Sequence, residues 1–292
     1  MLIFSNLVSV DLATLVETLN AAFADYPSPM RFDQDSLATF LVRRGFDPRL
    51  SVGAFDGGQL VALHLIASGE WSGRAAVYDC ATGVLPEYRG QGLSRAMFTW
   101  LRPAWQAAGV DQCVLEVLSQ NEAAQRSYGA TGFVETGSYD CFSLDGLTQR
   151  GTAANAEAQI ALSEDNIAPS CLSSWFDAPP SWQNSVAAIA RSPQRFTQVR
   201  LLRGEQPVGI GLVLKTSGDV PFFAVEPASR GQGLGTLLLT QLARATDKPL
   251  RMINLTSGGK AARLVQQLGA ACIATQRAMC WDLTSQAESA PP

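Results

Sequence analysis

The chain has 292 residues, long enough for two domains of ordinary size, each able to bury a core of its own. Hydrophobic residues make up 47% and charged residues 16%, the balance of a globular protein that keeps a wet surface. With 22 Lys and Arg against 26 Asp and Glu, the net charge is −4, which argues against nucleic acid or an anionic membrane as partner and leans toward cationic ligands.

Six cysteines occur without a Cys-x-x-Cys pair, and they read as small buried hydrophobes in a reducing compartment. The single histidine, His64, lies in the strand-like run "LVALHLIA" and reads as a core or cleft-wall residue rather than part of a triad. No metal site is expected. The N-terminal "MLIFSNLVSVDL" has no basic leader, and no apolar run would span a bilayer, so a cytoplasmic protein without membrane contact is expected.

In chain order, "DLATLVETLNAAF" sets Leu12, Leu15, Val16, Leu19 and Phe23 on one helical stripe, which "YPSPM" breaks. "DSLATFLVRRG" resumes a helix with Gly45 as its stop. "LSVGAF-DGGQ-LVALHLIA" is a hairpin, and "AAVYDCATGVL" is an extended run leading into "RGQGLSRAM". Leu93, Met97, Trp100 and Leu101 then mark a helix expected to kink or end near Pro103. "CVLEVLS" is a strand covered on both faces, "NEAAQRSYGATGF" a helix closed by Gly132, and "YDCFSLD" a last strand.

A polar, turn-rich stretch follows, and then the order repeats, down to "RGQGLGTLL" 141 positions after the first copy. Both copies of Arg-Gly-Gln-Gly-Leu follow a Val-x-Pro, in "VLPEYR" and "VEPASR", and both lead an amphipathic helix. Expected boundaries are a first domain at 1–148, a linker at 149–158, a second domain at 159–284 and a disordered tail at 285–292.

A helix start presents unsatisfied N–H groups and a partial positive charge, and glycines before it let a bulky anion approach. One such turn is weak evidence, since many are glycine-rich for steric reasons alone. With the strand before it and "LEV" and "N-x-x-A-x-x-x-Y-x-x-x-G-F" after it, the sequence resembles the GNAT superfamily of acyl-CoA-dependent N-acyltransferases, as two tandem domains. The resemblance implies an α/β fold: in each domain a mixed, mostly antiparallel sheet whose central parallel pair splays apart between flanking helices.

It also implies acetyl-CoA as cosubstrate. Its pantetheine would pair with main chain near Val84 and Leu85, and its diphosphate would sit on Gly90, Gln91, Gly92, Leu93 and Ser94, with Arg89 and Arg95 nearby. Ser94 stands where the family usually has Gly or Ala. Asn121 either touches the cofactor or caps its helix. A second CoA site would use Val225, Arg230, Gly231, Gln232, Gly233, Leu234 and Gly235.

Acetyl transfer to an amine needs a base for the ammonium and a proton donor for the departing thiolate. Glu116, desolvated inside "CVLEVLS", reads as the base or as a structural carboxylate at the splay, and Asp79 is its rival. Tyr128 reads as the acid, or as core packing against Phe133. The Glu116–Tyr128 arrangement is similar to the branch of the family that acetylates ribosomal-protein N-termini, at these two positions only. In the second half Ile253 and Val265 stand in their places, so chemistry is expected in the first half alone, with the second half degenerate.

Phe23, Tyr26, Met30 and Phe32 would wall an acceptor cleft, with Asp25 attracting an ammonium and Trp71 opposite. The expected acceptor is a small-molecule amine or a peptide N-terminus, attacked directly in a ternary complex. The competing reading is a non-catalytic acyl-CoA-binding or sensing protein.

Overall fold

A computed structural model describes residues 1–26, 31–145, 159–163 and 173–284. The chain forms two compact units, Met1–Thr136 together with the chain from Arg277, and Gly137–Gln276. Each builds around its own copy of the strand, glycine turn and helix.

In the first unit, α1 (Leu12–Ala22) starts at Asp11, whose side chain accepts from the Thr14 N–H, and α2 (Gln34–Arg44) starts at a capping box of Asp33 and Ser36. Gly45 ends α2 with φ of 83°, a left-handed turn that a side chain would disfavour. The sheet runs β1 (Ile3–Ser5), β2 (Val52–Asp56), β3 (Gln59–Trp71), β4 (Arg74–Val84) and β5 (Gln112–Leu118), with β12 (Ala271–Asp282) beyond. Strands β1 to β4 pair antiparallel. Strand β1, which the sequence pattern did not mark, is a three-residue edge on β2.

Strands β4 and β5 pair parallel over three positions only, Ala76↔Gln112, Val77↔Cys113 and Tyr78↔Val114. The β3–β4 register slips between Leu65↔Ala81 and Ile66↔Asp79, so Cys80 is the extra residue of a bulge. Past that bulge the two parallel strands no longer pair, giving the splay the family resemblance implied.

Helix α3 (Leu93–Ala107) passes through Pro103, so of the expected kink or end the end does not occur. Met97, Phe98, Leu101 and Trp105 are fully buried on both sides of the proline, and that packing outweighs the lost hydrogen bond. Trp105 also donates from Nε1 to the Leu50 carbonyl at 2.9 Å. Of the residues that marked the helix, Trp100 is exposed, while Phe98 and Trp105 are buried.

Helix α4 (Glu122–Thr131) is followed by β6 (Val134–Leu144), which leaves the first unit at Gly137. Strand β6 pairs antiparallel with β11 (Leu250–Thr256) of the second unit, where Phe142 and Leu144 enter the core. The end of β12 belongs to the first unit, and Met279, Trp281 and Leu283 complete its core. Trp281 packs on Phe98, Trp105 and Phe133, and lies so close to Gly132 that a Cβ there would come within 2.9 Å of its indole nitrogen. The compact units divide inside β6 and β12, not at the expected ends 148 and 284, so each half gives the end of its last strand to the other unit. The expected linker at 149–158 and tail at 285–292 lie outside the described residues.

The second unit also holds the sheet β10 (Phe222–Val225), β9 (Gln206–Leu214), β8 (Phe196–Arg203) and β7 (Gln159–Ser163), all antiparallel. Its helices are the short α5 (Val186–Ala190), then α6 (Leu234–Arg244) after the second glycine turn, and α7 (Lys260–Gln267). Among the described residues no helix is long and apolar enough to cross a membrane, and no cluster of ligating side chains suited to a metal occurs. Among the described cysteines, none in a disulfide, Cys113 and Cys141 are buried, but Cys272 is exposed, against the reading of all six as core residues. His64 is fully buried against Phe98, and burial alone depresses it to about 3, so it is neutral.

Candidate active site

The first glycine turn starts α3. Gly90 and Gly92 both have φ of 73°, and a Cβ at either would meet nothing within 4 Å. The glycines serve backbone conformation and leave open space at the helix start. Gly92 is the N-cap and offers no side chain to the first N–H groups, which suits them to an anion brought from outside. Arg95 is exposed and Ser94 half-buried beside this turn, while Leu93 anchors it in the core. The Gln91 amide donates to the Glu87 carbonyl at 3.3 Å and braces the turn.

Arg89 does not stand free for a phosphate. Its guanidinium donates to Asp25 at 2.6 and 2.9 Å, to the Ala22 carbonyl at 2.8 Å and to the Val84 carbonyl at 3.2 Å. Asp25, expected to attract an ammonium, is therefore already paired, and the Arg89 hydrogen bonds hold it below the usual carboxylate range. Sequence alone misses this because it cannot show that the end of α1 returns to the turn.

Leu85 spends its N–H on the Val61 carbonyl at 2.9 Å. By strand alternation, Val84 turns its own N–H toward the gap beside β5, so of the two expected main-chain partners it is Val84 that faces a ligand. Asn121 caps α4 by accepting from the Ala124 N–H at 3.1 Å, and its amide donates to the Tyr26 hydroxyl at 3.1 Å.

Two carboxylates flank the splay, each with a phenol. Tyr128 donates to Asp79 Oδ2 at 3.4 Å, and Thr82 donates to the same oxygen at 2.5 Å. Asp79 Oδ1 is buried with no hydrogen-bond partner among the described residues. On β5, Glu116 Oε2 accepts from the Tyr78 hydroxyl at 2.5 Å. Burial raises Asp79 to about 7 despite the hydrogen bonds from Thr82 and Tyr128. Burial also raises Glu116 to about 6, opposed by the Tyr78 hydrogen bond and the charge of Arg44. Tyr128 is pushed well above the usual phenol range by burial and then by Asp79.

The geometry pairs the expected acid with Asp79, not with Glu116. Tyr128 also packs edge-on against Phe133 at 5.5 Å and Phe98 at 6.0 Å, so packing and hydrogen bonding coexist there. Tyr78 and Thr82 were missed. Their roles follow from the β4–β5 register and the Cys80 bulge, which set which residues share a face.

Of the expected acceptor wall, Phe23 and Tyr26 stack edge-on at 4.8 Å, and Phe32 packs on Phe40 at 5.2 Å. The Asn20 amide clasps the Phe32 backbone through both its N–H and its C=O. Met30 lies outside the described residues. Trp71 pairs with Arg74 at the start of β4, the end remote from the glycine turn, so it is not brought to the open half of the splay.

In the second unit, Gly231 and Gly233 have φ of 77° and 79°, and Arg230 repeats the Arg89 contacts, donating to Val225 and Trp175 carbonyls and to Asp177. Both arginines are bound to protein oxygens. A cavity of about 420 Å³ opens here, lined by Val225, Gly231, Gly233, Leu234 and Gly235 among others. Gln232 does not line it and accepts instead from Arg203 at 2.7 Å. Val265 is fully buried, and the Ile253 carbonyl accepts from the Asn184 amide. Neither side chain can move a proton.

The profile of the acetyltransferase (GNAT) family matches residues 14–133. A mycothiol acetyltransferase from Frankia casuarinae is 35% identical over 124 residues, which is 39% of this chain and 36% of that relative, about a third of its length. Among solved structures, a tandem GNAT protein from the clavulanic acid biosynthesis pathway superposes with a TM-score of 0.74 at 15% identity, over 97% of this chain and 99% of that one. A GCN5-related N-acetyltransferase from Sphaerobacter thermophilus gives 0.70 at 16% identity, over 97% and 96%. The GNAT family match thus falls on the first unit, and the chain as a whole has the fold of these GNAT structures.

Proposed function

We propose that the first unit transfers an acetyl group from acetyl-CoA to a primary amine by direct attack in a ternary complex. The observation that carries this reading is the splay of β4 and β5 past three paired positions, with Asp79–Tyr128 and Glu116–Tyr78 beside the opening. The backbone N–H groups from Gly90 to Ser94 would hold the diphosphate, and the Val84 N–H would hold pantetheine. Arg95, exposed beside the turn, would add charge.

Glu116 takes a proton from the ammonium, leaving a neutral amine whose nitrogen attacks the thioester carbon. As the carbon–sulfur bond breaks, Tyr128 gives its phenolic proton to the leaving sulfur. The remaining extra proton on nitrogen passes to the Tyr128 phenolate and restores the phenol, Glu116 returns its proton to solvent, and the products are an amide and a CoA thiol. Tyr78 occupies one Glu116 oxygen and leaves the other for the amine. Asp79 as base is the second reading, favoured by its unpartnered Oδ1 and its contact with Tyr128. The acceptor class is a small-molecule amine or a peptide N-terminus, met by Phe23, Tyr26 and Phe32.

The test is CoA thiol release by the purified full chain with acetyl-CoA and a panel of primary amines and peptides. Release that depends on an amine is expected. Tight acetyl-CoA binding with no amine-dependent release across the panel would instead favour a binding or sensing protein.

A further inference from the structure

The segment that leaves α1 is tied to two different helix starts. Asp25 accepts two hydrogen bonds from Arg89, the residue just before the glycine turn of α3. Tyr26 accepts one from the amide of Asn121, the N-cap of α4. Those helices follow β4 and β5, the two strands that splay. Phe23–Tyr26 therefore bridges the open end of the splay, with one attachment on each side. Burial and Asp79 raise Tyr128 first, and the nearby Tyr26 phenol adds to them, so the bridge reaches the proposed acid.

Arg89 is committed to this bridge. All three of its guanidinium nitrogens donate within the chain: Nε to the Val84 carbonyl at the end of β4, Nη2 to the Ala22 carbonyl at the end of α1, and Nη1 and Nη2 to Asp25. A planar two-pronged pairing of guanidinium and carboxylate fixes direction as well as distance. The second unit repeats the bridge with other side chains. Asp177 accepts from Arg230 at 2.7 Å, before the second glycine turn, and from Lys260 at 3.1 Å, the first residue of α7. An arginine beside a glycine turn thus holds an upstream carboxylate in both copies, and in the first copy the segment so held carries the stacked pair Phe23 and Tyr26.

We propose that Arg89 serves the acceptor and not the diphosphate: it is a positioning residue that, through Asp25, holds Phe23 and Tyr26 in place as the acceptor wall. This rests on reading those two side chains as that wall in a first unit that transfers acetyl groups. A wall already held in its binding position spares the incoming amine the entropy of ordering it. A wall that wanders lowers the apparent affinity by the fraction of time it is in place. The thioester, seated on the turn and between the strands, is insensitive to that fraction.

Initial-rate kinetics on the full chain, varying acetyl-CoA and the panel amine that wild type acetylates fastest, test the assignment. Arg89→Gln should raise the amine KM about tenfold, with kcat and the acetyl-CoA KM within about threefold of wild type. Asp25→Asn is an exposed change that leaves the guanidinium charge in place, and it should do the same. The double variant should be no worse than either single one, because the two residues act together. General loosening of the fold cannot give a selective rise in one KM to which the second substitution adds nothing. A phosphate role gives the opposite pattern: Arg89→Gln would raise the acetyl-CoA KM by about tenfold or more, and Asp25→Asn, by freeing the guanidinium, would lower it. Either of those results, or an unchanged amine KM in both variants, overturns the proposal. Should Arg89→Gln fail to fold, Asp25→Asn alone is read by the same criteria. If wild type acetylates no amine of the panel, the acetyl-transfer reading is what fails. Hydrogen exchange at Phe23–Tyr26, expected to quicken in Asp25→Asn, then still reports whether the pair holds this segment, and unchanged exchange overturns that hold.

Discussion

The two units share a device and differ in what surrounds it. Each has a left-handed glycine pair at a helix start, and each has an arginine that ties its turn back to an upstream loop. In the first unit the opening beside the turn is flanked by two carboxylates and two phenols. In the second, the corresponding strand and helix supply Ile253 and Val265. The turn and the fold around it thus occur both with and without these carboxylates and phenols. Holding a phosphate asks only for backbone N–H groups in a fixed curve; moving a proton asks for particular side chains in a dry place.

The largest expected effect strikes the shared device where chemistry depends on it. Gly92→Asp brings a side chain and a negative charge to a left-handed position at the cradle, and turnover should fall about 10³-fold or more through lost acetyl-CoA binding. Calorimetry and CoA release on the same sample check it. Turnover within about threefold of wild type in the Gly92→Asp variant would make the second unit the working one and invert the comparison.

Next comes the difference itself. Tyr128→Phe removes one hydroxyl from a residue that otherwise keeps its packing on Phe98 and Phe133. A positioned proton donor contributes roughly 10²–10⁴ in rate, so kcat should drop by about that factor with acetyl-CoA affinity retained. A Tyr128→Phe enzyme with unchanged kcat would leave this tyrosine as core packing, as Val265 is in the second unit.

The pH profile then divides the two carboxylates. A base must be unprotonated to accept, so kcat/KM should rise as pH passes the base's own value: about 6 for Glu116 or about 7 for Asp79. The groups facing Glu116 are Tyr78, Arg44, Cys80 and Asp79; those facing Asp79 are Thr82, Tyr128, Cys80, Cys113 and Glu116. Glu116→Gln should flatten the rising limb while Asp79→Asn leaves it. If Asp79→Asn flattens it instead, Asp79 is the base and the Tyr128–Asp79 hydrogen bond joins acid to base directly.

How much of this the sequence showed depends on how local each cause is. The glycine turns, the βαβ order, the repeat, and Glu116 and Tyr128 as candidates were legible, because a turn, a helix period and a polar residue in an apolar strand are local patterns. The pairing of Tyr128 with Asp79 was not, because it depends on a one-residue bulge at Cys80 and on where two strands stop pairing. Arg89 was read as a phosphate donor because its partners, Ala22 and Asp25, lie over 60 positions upstream. The exchanged last strands were hidden for a similar reason. Residues 134–144 and 271–282 are both extended runs, and nothing in an extended run names the neighbour it will join.

That exchange gives a smaller, structural prediction. Trp281, near the C-terminal end of β12, packs into the aromatic core of the first unit. Trp281→Ala should destabilise that unit by about 3–5 kcal/mol, the range for large-to-small changes at buried aromatics. Hydrogen exchange should report the loss in α3 and α4, with β8 and β9 unaffected. Loosening in β8 and β9 instead would return the last strand to the second unit.

The smallest expected effect on turnover is at Val265, the counterpart of Tyr128. Val265→Thr is nearly isosteric and adds to the second unit the kind of group that Tyr128→Phe removes from the first. The side chain is fully buried in an apolar cluster with Leu238, Leu239, Leu242 and Met252, where the new hydroxyl trades water for the carbonyl one helical turn back. Burying a hydroxyl costs up to about 1–3 kcal/mol in proteins, and thermal unfolding should show a loss within that size. Turnover per folded molecule should stay within about twofold, because proton transfer in this reading happens in the other unit. The two substitutions are expected to be opposites: Tyr128→Phe costs rate with little stability, and Val265→Thr costs stability with little rate. A Val265→Thr protein that keeps its stability and loses turnover would place the working site in the second unit.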